Sequence, residues 1–433
     1  MVYRFGVRVL SKKTILIRKS LALTTPVLIV TSLTFYMFNS TSLGLTQPQA
    51  VDTLKARSPM NTANKSSKPG NNKNSNGTAE SNVLGAQISN TDSSKICFPN
   101  QPSNPNLKNS NIPELQKLTE YEKVCNSYVT GKIMVFTSMP GSVKEAVGLA
   151  TDFSYTLKGL ARYSKQPLVV FEPVTSSGNV DFTAFKTGAY DSYLEKYFTT
   201  LRSLGITDQM MGEWVLFPEA NIPEWGNTNP VDVAACITKT SQIQKKYFPA
   251  SKSSILLDSK SYPDGKSWDG GAYTSLVPYV KDIPKGLIDS FGLQGFPWPD
   301  PQPDYSAANF LNPVLAQDAA SVLGIKTIWL NTGTFSAGKA WNNQTITLNP
   351  VQRLAILTDI VSQATKLQNK GYEVTINLFA ENKISTSEGI NWSYWDSGTI
   401  DTSPYVDTFL DFVKQLRVNN IGLSLADSGL GIN

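Results

Sequence analysis

Histidine is absent from all 433 residues. That absence excludes His-ligated metal sites, Ser-His-Asp triads and Cys-His nucleophile pairs together. Cysteine is nearly as scarce: Cys97, Cys125 and Cys236 are too few for a disulfide scaffold. In an exported domain Cys97 and Cys125 could pair and leave Cys236 buried, and three free thiols packed as small apolar groups fit the sequence equally well. Without His or clustered Cys, neither a transition metal nor any cofactor is expected. Acid is missing from the first fifty residues, which hold six basic groups (Arg4, Arg8, Lys12, Lys13, Arg18 and Lys19) and no Asp or Glu. They exceed the whole formal net charge of +5. From Lys95 onward 28 Lys and Arg face 31 Asp and Glu, so the remainder is mildly acidic. It carries no basic footprint, and a nucleic-acid partner is not expected.

What is present first is a run of 18 uncharged, mostly apolar residues, "LALTTPVLIVTSLTFYMF" at 21–38, behind the basic segment 1–20. Its length is short for a bilayer span and long for a signal-peptide core. No small-x-small cleavage site follows closely, so an uncleaved transmembrane signal anchor is favoured over a removed signal peptide. Positive charge before the span places the N-terminus inside and the rest outside the cytoplasm, or secreted if the anchor is cut. Residues 39–94, as in "NTANKSSKPGNNKNSNGTAESN", are rich in Ser, Asn and Lys and poor in apolar groups. They cannot bury enough surface to offset chain entropy and read as a disordered linker.

From 95 to 433 short β-rich runs alternate with helical patterns, the signature of βα units and a parallel sheet. The strand expectations are 95–98, 132–138, 167–173, 213–219, 253–259, 289–296, 326–333 and 372–381. Between them lie helical stretches such as "DSYLEKYFTTLRSLG" and "VQRLAILTDIVSQATKLQNKG", the latter with Gly371 as its stop. Eight strands point to a (β/α)8 TIM barrel, with a doubly wound open sheet as the alternative. In a barrel, chemistry belongs at the C-terminal ends of the strands.

Those ends carry carboxylates: Glu172, Glu219 and Glu224, Asp258, and Glu381. A Glu delivered to a barrel rim by an apolar strand is partly desolvated, which suits a general acid. Each acid taken alone reads more simply as a helix cap or a loop charge, and several converging on one rim read as a site. Tryptophan is the second signal. Trp225, Trp268, Trp298, Trp341, Trp392 and Trp395 fall in loops or at strand ends, whereas Trp214 and Trp329 lie inside strands and read as core. Flat rings beside Asp and Asn suit sugars, whose C–H faces stack while their hydroxyls need polar partners. Packing under loops would account for about half of these tryptophans.

The order and texture of 95–400 resemble the β-mannanase-type glycoside hydrolases of family 26, in the retaining clan A of barrel enzymes. "PLVVFEPV" looks like that family's third-strand segment, and "FKTGAYDSYLEKYFTTLRSLG" is similar to the stretch and helix after it. "EWVLFPEANIPEWG" resembles the fourth strand with its acid/base Glu. "IDSFGLQGFPW" resembles the sixth, and "INLFAENKISTSEGINWSYW" the eighth. The resemblance implies Glu219 as general acid/base, with Asn221 and Trp225 as substrate contacts. Pro218 stands where the family has His, and Gln294 and Phe296 where it has Asp and Tyr. In "IWLNTGTF" the expected nucleophile is Asn331, an amide that cannot form a glycosyl ester.

Three readings follow. One is a glycosidase acting on a β-mannan or β-glucan type polysaccharide or oligosaccharide, with Glu381 or Asp258 as the second carboxylate. Another is a carbohydrate-binding pseudoenzyme that keeps a groove formed with Glu172, Trp298, Asn331, Trp392 and Trp395. The last is a structural or adhesive surface module. The expected partners are the glycan and, through the N-terminal segment, a membrane.

Overall fold

Strands that alternate with one-sided helices bury both faces either as a helix-covered open sheet or by closing into a barrel, and this chain closes. The structure, a computed structural model, describes residues 97–98, 103–104, 106–222, 229–260, 273–301, 304–340, 342–385, 389–395 and 400–426. All belong to one compact unit within Thr91–Asn433. The basic segment, the anchor expected at 21–38 and the linker expected at 39–94 lie outside the described residues. Among the described residues no helix is long and apolar enough to cross a membrane.

Eight parallel strands form the barrel: β1 (Lys132–Ser138), β2 (Gln166–Glu172), β3 (Glu213–Leu216), β4 (Lys252–Asp258), β5 (Ser290–Gln294), β6 (Thr327–Thr332), β7 (Glu373–Phe379) and β8 (Gly422–Ala426). Each pairs with its neighbours in chain order, and β8 returns to β1. The open-sheet alternative is thereby removed. Two strand expectations need correction. Cys97 and Phe98 sit in a bend rather than a first strand, and the eighth strand is "GLSLA" near the C-terminus, a five-residue run that local pattern leaves ambiguous. Glu219 therefore follows the third strand and Asn331 lies on the sixth, one place earlier than the family resemblance implied.

The long helices are α1 (Pro113–Cys125), α2 (Val143–Arg162), α3 (Asp191–Ser203), α4 (Pro230–Tyr247), α5 (Pro313–Leu323), α6 (Pro350–Gln368) and α7 (Val406–Val418). Because β8 adjoins β1, the helix that precedes β1 packs beside α7, through Tyr121 against Phe409 at 4.7 Å between ring centroids. Helices α4, α5 and α6 share one start signal, Asn-Pro, at 229–230, 312–313 and 349–350. Each Asn side chain accepts from a backbone N–H of the first turn, and Pro fills a position whose N–H has no helical acceptor. In α6, Gln352 reaches back to the Asn349 N–H and completes a capping box. That helix stops at Gln368, and Gly371 shapes the turn beyond it at φ 84°.

Near the N-terminal ends of the strands, Cys97 and Cys125 are joined by a disulfide and Cys236 is free and buried. Ser127 Oγ accepts from the N–H groups of Cys97 and Phe98, fixing that segment beside the C-terminal end of α1. Next to it Lys165 and Glu122 form an ion pair at 3.3 Å with both side chains 3% exposed. Burial pushes the Glu122 carboxyl up and the Lys165 amine down, and Lys165 Nζ donates a second bond to Thr130 O at 2.8 Å.

Inside the barrel every second residue points inward. The lowest layer is polar. Lys132 Nζ donates to Glu213 Oε2 at 2.6 Å, the Ser290 hydroxyl donates to Glu213 Oε1, and Ser290 meets Ser254 at 2.7 Å. Above it the Trp329 indole fills the centre and donates to Ser254 Oγ at 2.8 Å. Its strand neighbour is Gly292, where an added Cβ would stand 2.5 Å from the indole ring. Trp214, on the outer face of β3, packs against Phe153, Phe171 and Phe198 at 5.9, 5.3 and 5.4 Å. Gly292→Ala should cost about 2 kcal/mol by overpacking. Urea unfolding of G292A, W329L and the double variant should give a double-variant loss smaller than the sum of the two.

Candidate functional site

Glu219 reaches the barrel interior through an unusual backbone. Phe217 and Glu219, on either side of Pro218, both adopt left-handed conformations, φ 51° and 55°. For residues with a Cβ this costs roughly 1 kcal/mol or more each, and it persists only where surroundings enforce it. Here Phe217 is wedged edge-on against Phe182 and Phe185 at 5.5 and 5.2 Å, and the Glu219 N–H donates to Leu256 O at 2.8 Å. The segment thereby turns from strand into loop with the Glu219 side chain inward, and the residue is 5% exposed.

Asp258 ends β4 and Gln294 ends β5, and the two are register partners. Gln294 Nε2 donates to Glu219 Oε1 and, at 3.2 Å, to Asp258 Oδ2. Both carboxylates lie within hydrogen-bonding reach of one nitrogen, so their nearer oxygens are no more than roughly 6 Å apart. The other Asp258 oxygen accepts from the Lys260 N–H at 2.8 Å. Register continues the polar row along the sheet, from Gln294 to Asn331 on β6, Asn377 on β7 and Ser424 on β8. Ser424 Oγ donates to Asn377 Oδ1 at 2.7 Å, Asn377 Nδ2 to Asn331 Oδ1 at 2.6 Å, and Asn331 Nδ2 to Gln294 Oε1 at 2.7 Å. All five residues from Asp258 to Ser424 are buried.

A cavity of about 30 Å³ opens above this row. Its lining combines the polar Glu172, Glu219, Gln294 and Asn331 with the apolar Met134, Phe136, Val170, Pro218, Leu256 and Phe379. The structure therefore brings Glu172, Glu219 and Asn331 to one cavity, with Asp258 one hydrogen bond behind them. Asn221 is directed elsewhere: its amide donates to Asp258 O and accepts from Asp258 N–H, both at 2.9 Å, tying the loop after β3 to the end of β4. Glu381 follows β7 but does not line the cavity. Its carboxylate stands 4.0 Å from Lys383 Nζ.

The tryptophans divide. Trp225, Trp268 and Trp341 lie outside the described residues. Trp392 and Trp298, 0% and 8% exposed, pack edge-to-face at 5.4 Å in a cluster with Phe296 and belong to the core beneath the rim. Trp395 packs on Tyr121 of α1 at 5.4 Å with Lys117 Nζ 4.1 Å from its ring. Loop packing accounts for these three.

Asn377 and Ser424 had a faint signal, polar residues on the inward alternation of otherwise apolar strands. Arg353 on α6 had none. It is wholly buried, and its guanidinium donates to Thr334 Oγ1 and O and to the carbonyls of Trp392 and Ser393, at 2.6 to 3.2 Å. It joins the loops after β6 and β7. Among the described residues no group of three or more Cys, Asp or Glu could hold a metal ion.

No family model and no curated protein matches this chain. Similar solved structures include a family 1 β-glucosidase from Thermotoga maritima, at 10% identity and TM-score 0.46 over 71% of this chain and 86% of that one. A fungal β-1,4-galactanase is similar at 12% identity and TM-score 0.43, over 69% and 90%. Likeness at this level adds nothing to the barrel defined by the strands themselves.

Beside Glu381, at the first turn of α1, the Glu114 carboxyl is raised to about 7 from 4.5, by burial first and then by the Glu381 charge. With the folded value above the unfolded one, the native state holds the extra proton between about pH 4.5 and 7, so stability falls as pH rises through that window. Urea midpoints measured from pH 5 to 8 should decline more for the native chain than for Glu114→Gln, with a difference of at most about 3 kcal/mol.

Proposed function

We propose that the C-terminal rim of the barrel is a carbohydrate-acting site, with Glu219 as general acid/base and Asp258 as the carboxylate facing it. The observation that carries this reading is the bridging of the two by Gln294, at the ends of three neighbouring strands. An upper bound of roughly 6 Å between the nearer oxygens admits the 5–5.5 Å of retaining glycosidases and lies below the 6.5–9.5 Å of inverting ones. In that chemistry Glu219 protonates the departing glycosidic oxygen while Asp258, which stands behind the cavity in this structure, attacks the anomeric carbon once the site opens to it. Glu219 then takes a proton from the water that breaks the glycosyl ester. In a chain without histidine, carboxyl groups are the ordinary choice for both tasks. Neutral β-linked polysaccharide of the mannan or glucan type is the substrate this reading favours, in keeping with the segments that resemble the β-mannanase-type family.

The Cys97–Cys125 disulfide supports a location outside the reducing cytoplasm. It agrees with the export implied by the basic, apolar N-terminus, whose role as an anchor belongs to this proposal.

One observation favours the second reading, a non-hydrolysing binding or structural module. A cavity of about 30 Å³ accommodates one or two waters and is a tenth or less of an ordinary ligand pocket. A sugar ring enters only if the residues lining the cavity yield.

A panel of β-mannans and β-glucans assayed for both binding and release of reducing ends separates these readings. Hydrolysis predicts release from at least one glycan and a loss of about 10³-fold or more in Glu219→Gln and Asp258→Asn, with binding retained. Binding without release by the native chain would establish the binding module, and neither would leave a structural role.

A further inference from the structure

The direction of every bond in the polar row is fixed by its end. A carboxylate has no proton to donate, so Gln294 must turn its NH2 toward Glu219 and Asp258. Its carbonyl then faces Asn331, which must present its NH2. The Asn331 carbonyl in turn requires the NH2 of Asn377, and the Asn377 carbonyl requires the hydroxyl proton of Ser424. Four donors point one way across β8, β7, β6 and β5 and converge on two acids. A proton placed on the oxygen that faces Gln294 costs that bond, whereas a proton on the other oxygen of the same acid leaves it in place, so a donor-first Gln294 disfavours protonation on the facing side.

We propose that Asn331, with Asn377 and Ser424 behind it, is a positioning residue that holds Gln294 donor-first and thereby sets the protonation state of the Glu219–Asp258 pair. Asn331 is then a working member of the site rather than a vacated nucleophile position, which explains an amide at the inward face of an apolar strand. The row acts through Gln294. The remaining charged or titratable groups facing the pair come from other elements. Among the described residues they include Glu172 at the end of β2, which lines the cavity with Glu219, and Tyr273 after β4, whose phenol interacts with Asp258 and has Tyr279 beside it. These groups approach the pair from outside the row, whereas a change made at Asn331 or Ser424 reaches it along the row through Gln294.

Titration of the full chain carrying carboxyl-13C Asp and Glu, followed by NMR and assigned with Glu219→Gln and Asp258→Asn, tests this without any substrate. It therefore stands or falls separately from the hydrolytic reading. The pair is expected to titrate as a unit with two apparent midpoints. Asn331→Leu, which removes both donor and acceptor at similar volume, should raise the lower midpoint by about one pH unit or more, a tenfold gain in proton affinity. Ser424→Ala, on the far side of the barrel row, should raise it in the same direction by a smaller amount. Asn331→Asp should bring about one further proton into the folded state near neutral pH. If Asn331→Leu does not fold, Ser424→Ala decides alone. A folded variant of either kind whose pair titrates within about 0.2 unit of the native chain overturns the proposal.

Discussion

The constraint on which the rest of this domain depends is the register of its parallel strands. Adjacent strands lie about 4.8 Å apart, and side chains of directly paired residues on the same face stand side by side. Because Asp258, Gln294, Asn331, Asn377 and Ser424 are consecutive register partners, four polar side chains and a carboxylate can each reach the next. A slip of one residue on any of these strands would send its polar group outward among the helices and bring an apolar one inward. Buried polar groups are tolerated only when their bonds are complete, so the row at the rim and the Lys132–Glu213–Ser290–Ser254–Trp329 network below it hold the strands in one alignment.

Between these two polar layers sits one large indole. Trp329 occupies the centre because Gly292 beside it has no side chain. The upper layer is therefore carried on a solid floor rather than over a hollow, which keeps the space near Glu219 small. Backbone strain is present beside the row: two left-handed residues flank Pro218, and aromatic packing around Phe217 supports them. Farther out, Arg353 ties the loops after β6 and β7 together through their carbonyl oxygens, a rigid support beneath the rim.

Much of the candidate site is legible in the amino-acid sequence. Glu219 and Asp258 are marked by their position after apolar runs, and Glu172 by the same rule, since a strand long enough to bury itself ends where its first charged residue emerges. Tryptophan misleads because an indole at a loop serves sugar stacking and loop packing equally well in sequence, and Trp298, Trp392 and Trp395 take the second course. The first strand is misplaced because "KICF" and "GLSLA" are both short and weakly patterned. Choosing between them depends on which one finds a neighbour, a non-local fact that no window of residues contains.

By itself the sequence determined the alternation of strand and helix, the absence of His-based chemistry, and the placing of acids directly after apolar runs. Those are local or compositional properties, set by propensity, capping and side-chain chemistry. Tertiary structure alone decided that Cys97 meets Cys125, that α1 packs beside α7, that Asn221 serves the backbone of Asp258, and that Gln294 stands between two carboxylates. These are contacts between residues 28 to more than 280 positions apart along the chain. The meeting of α1 with α7 follows from closing the sheet into a ring, and the contacts at the rim follow from the register of adjacent strands, neither of which a local window of sequence contains.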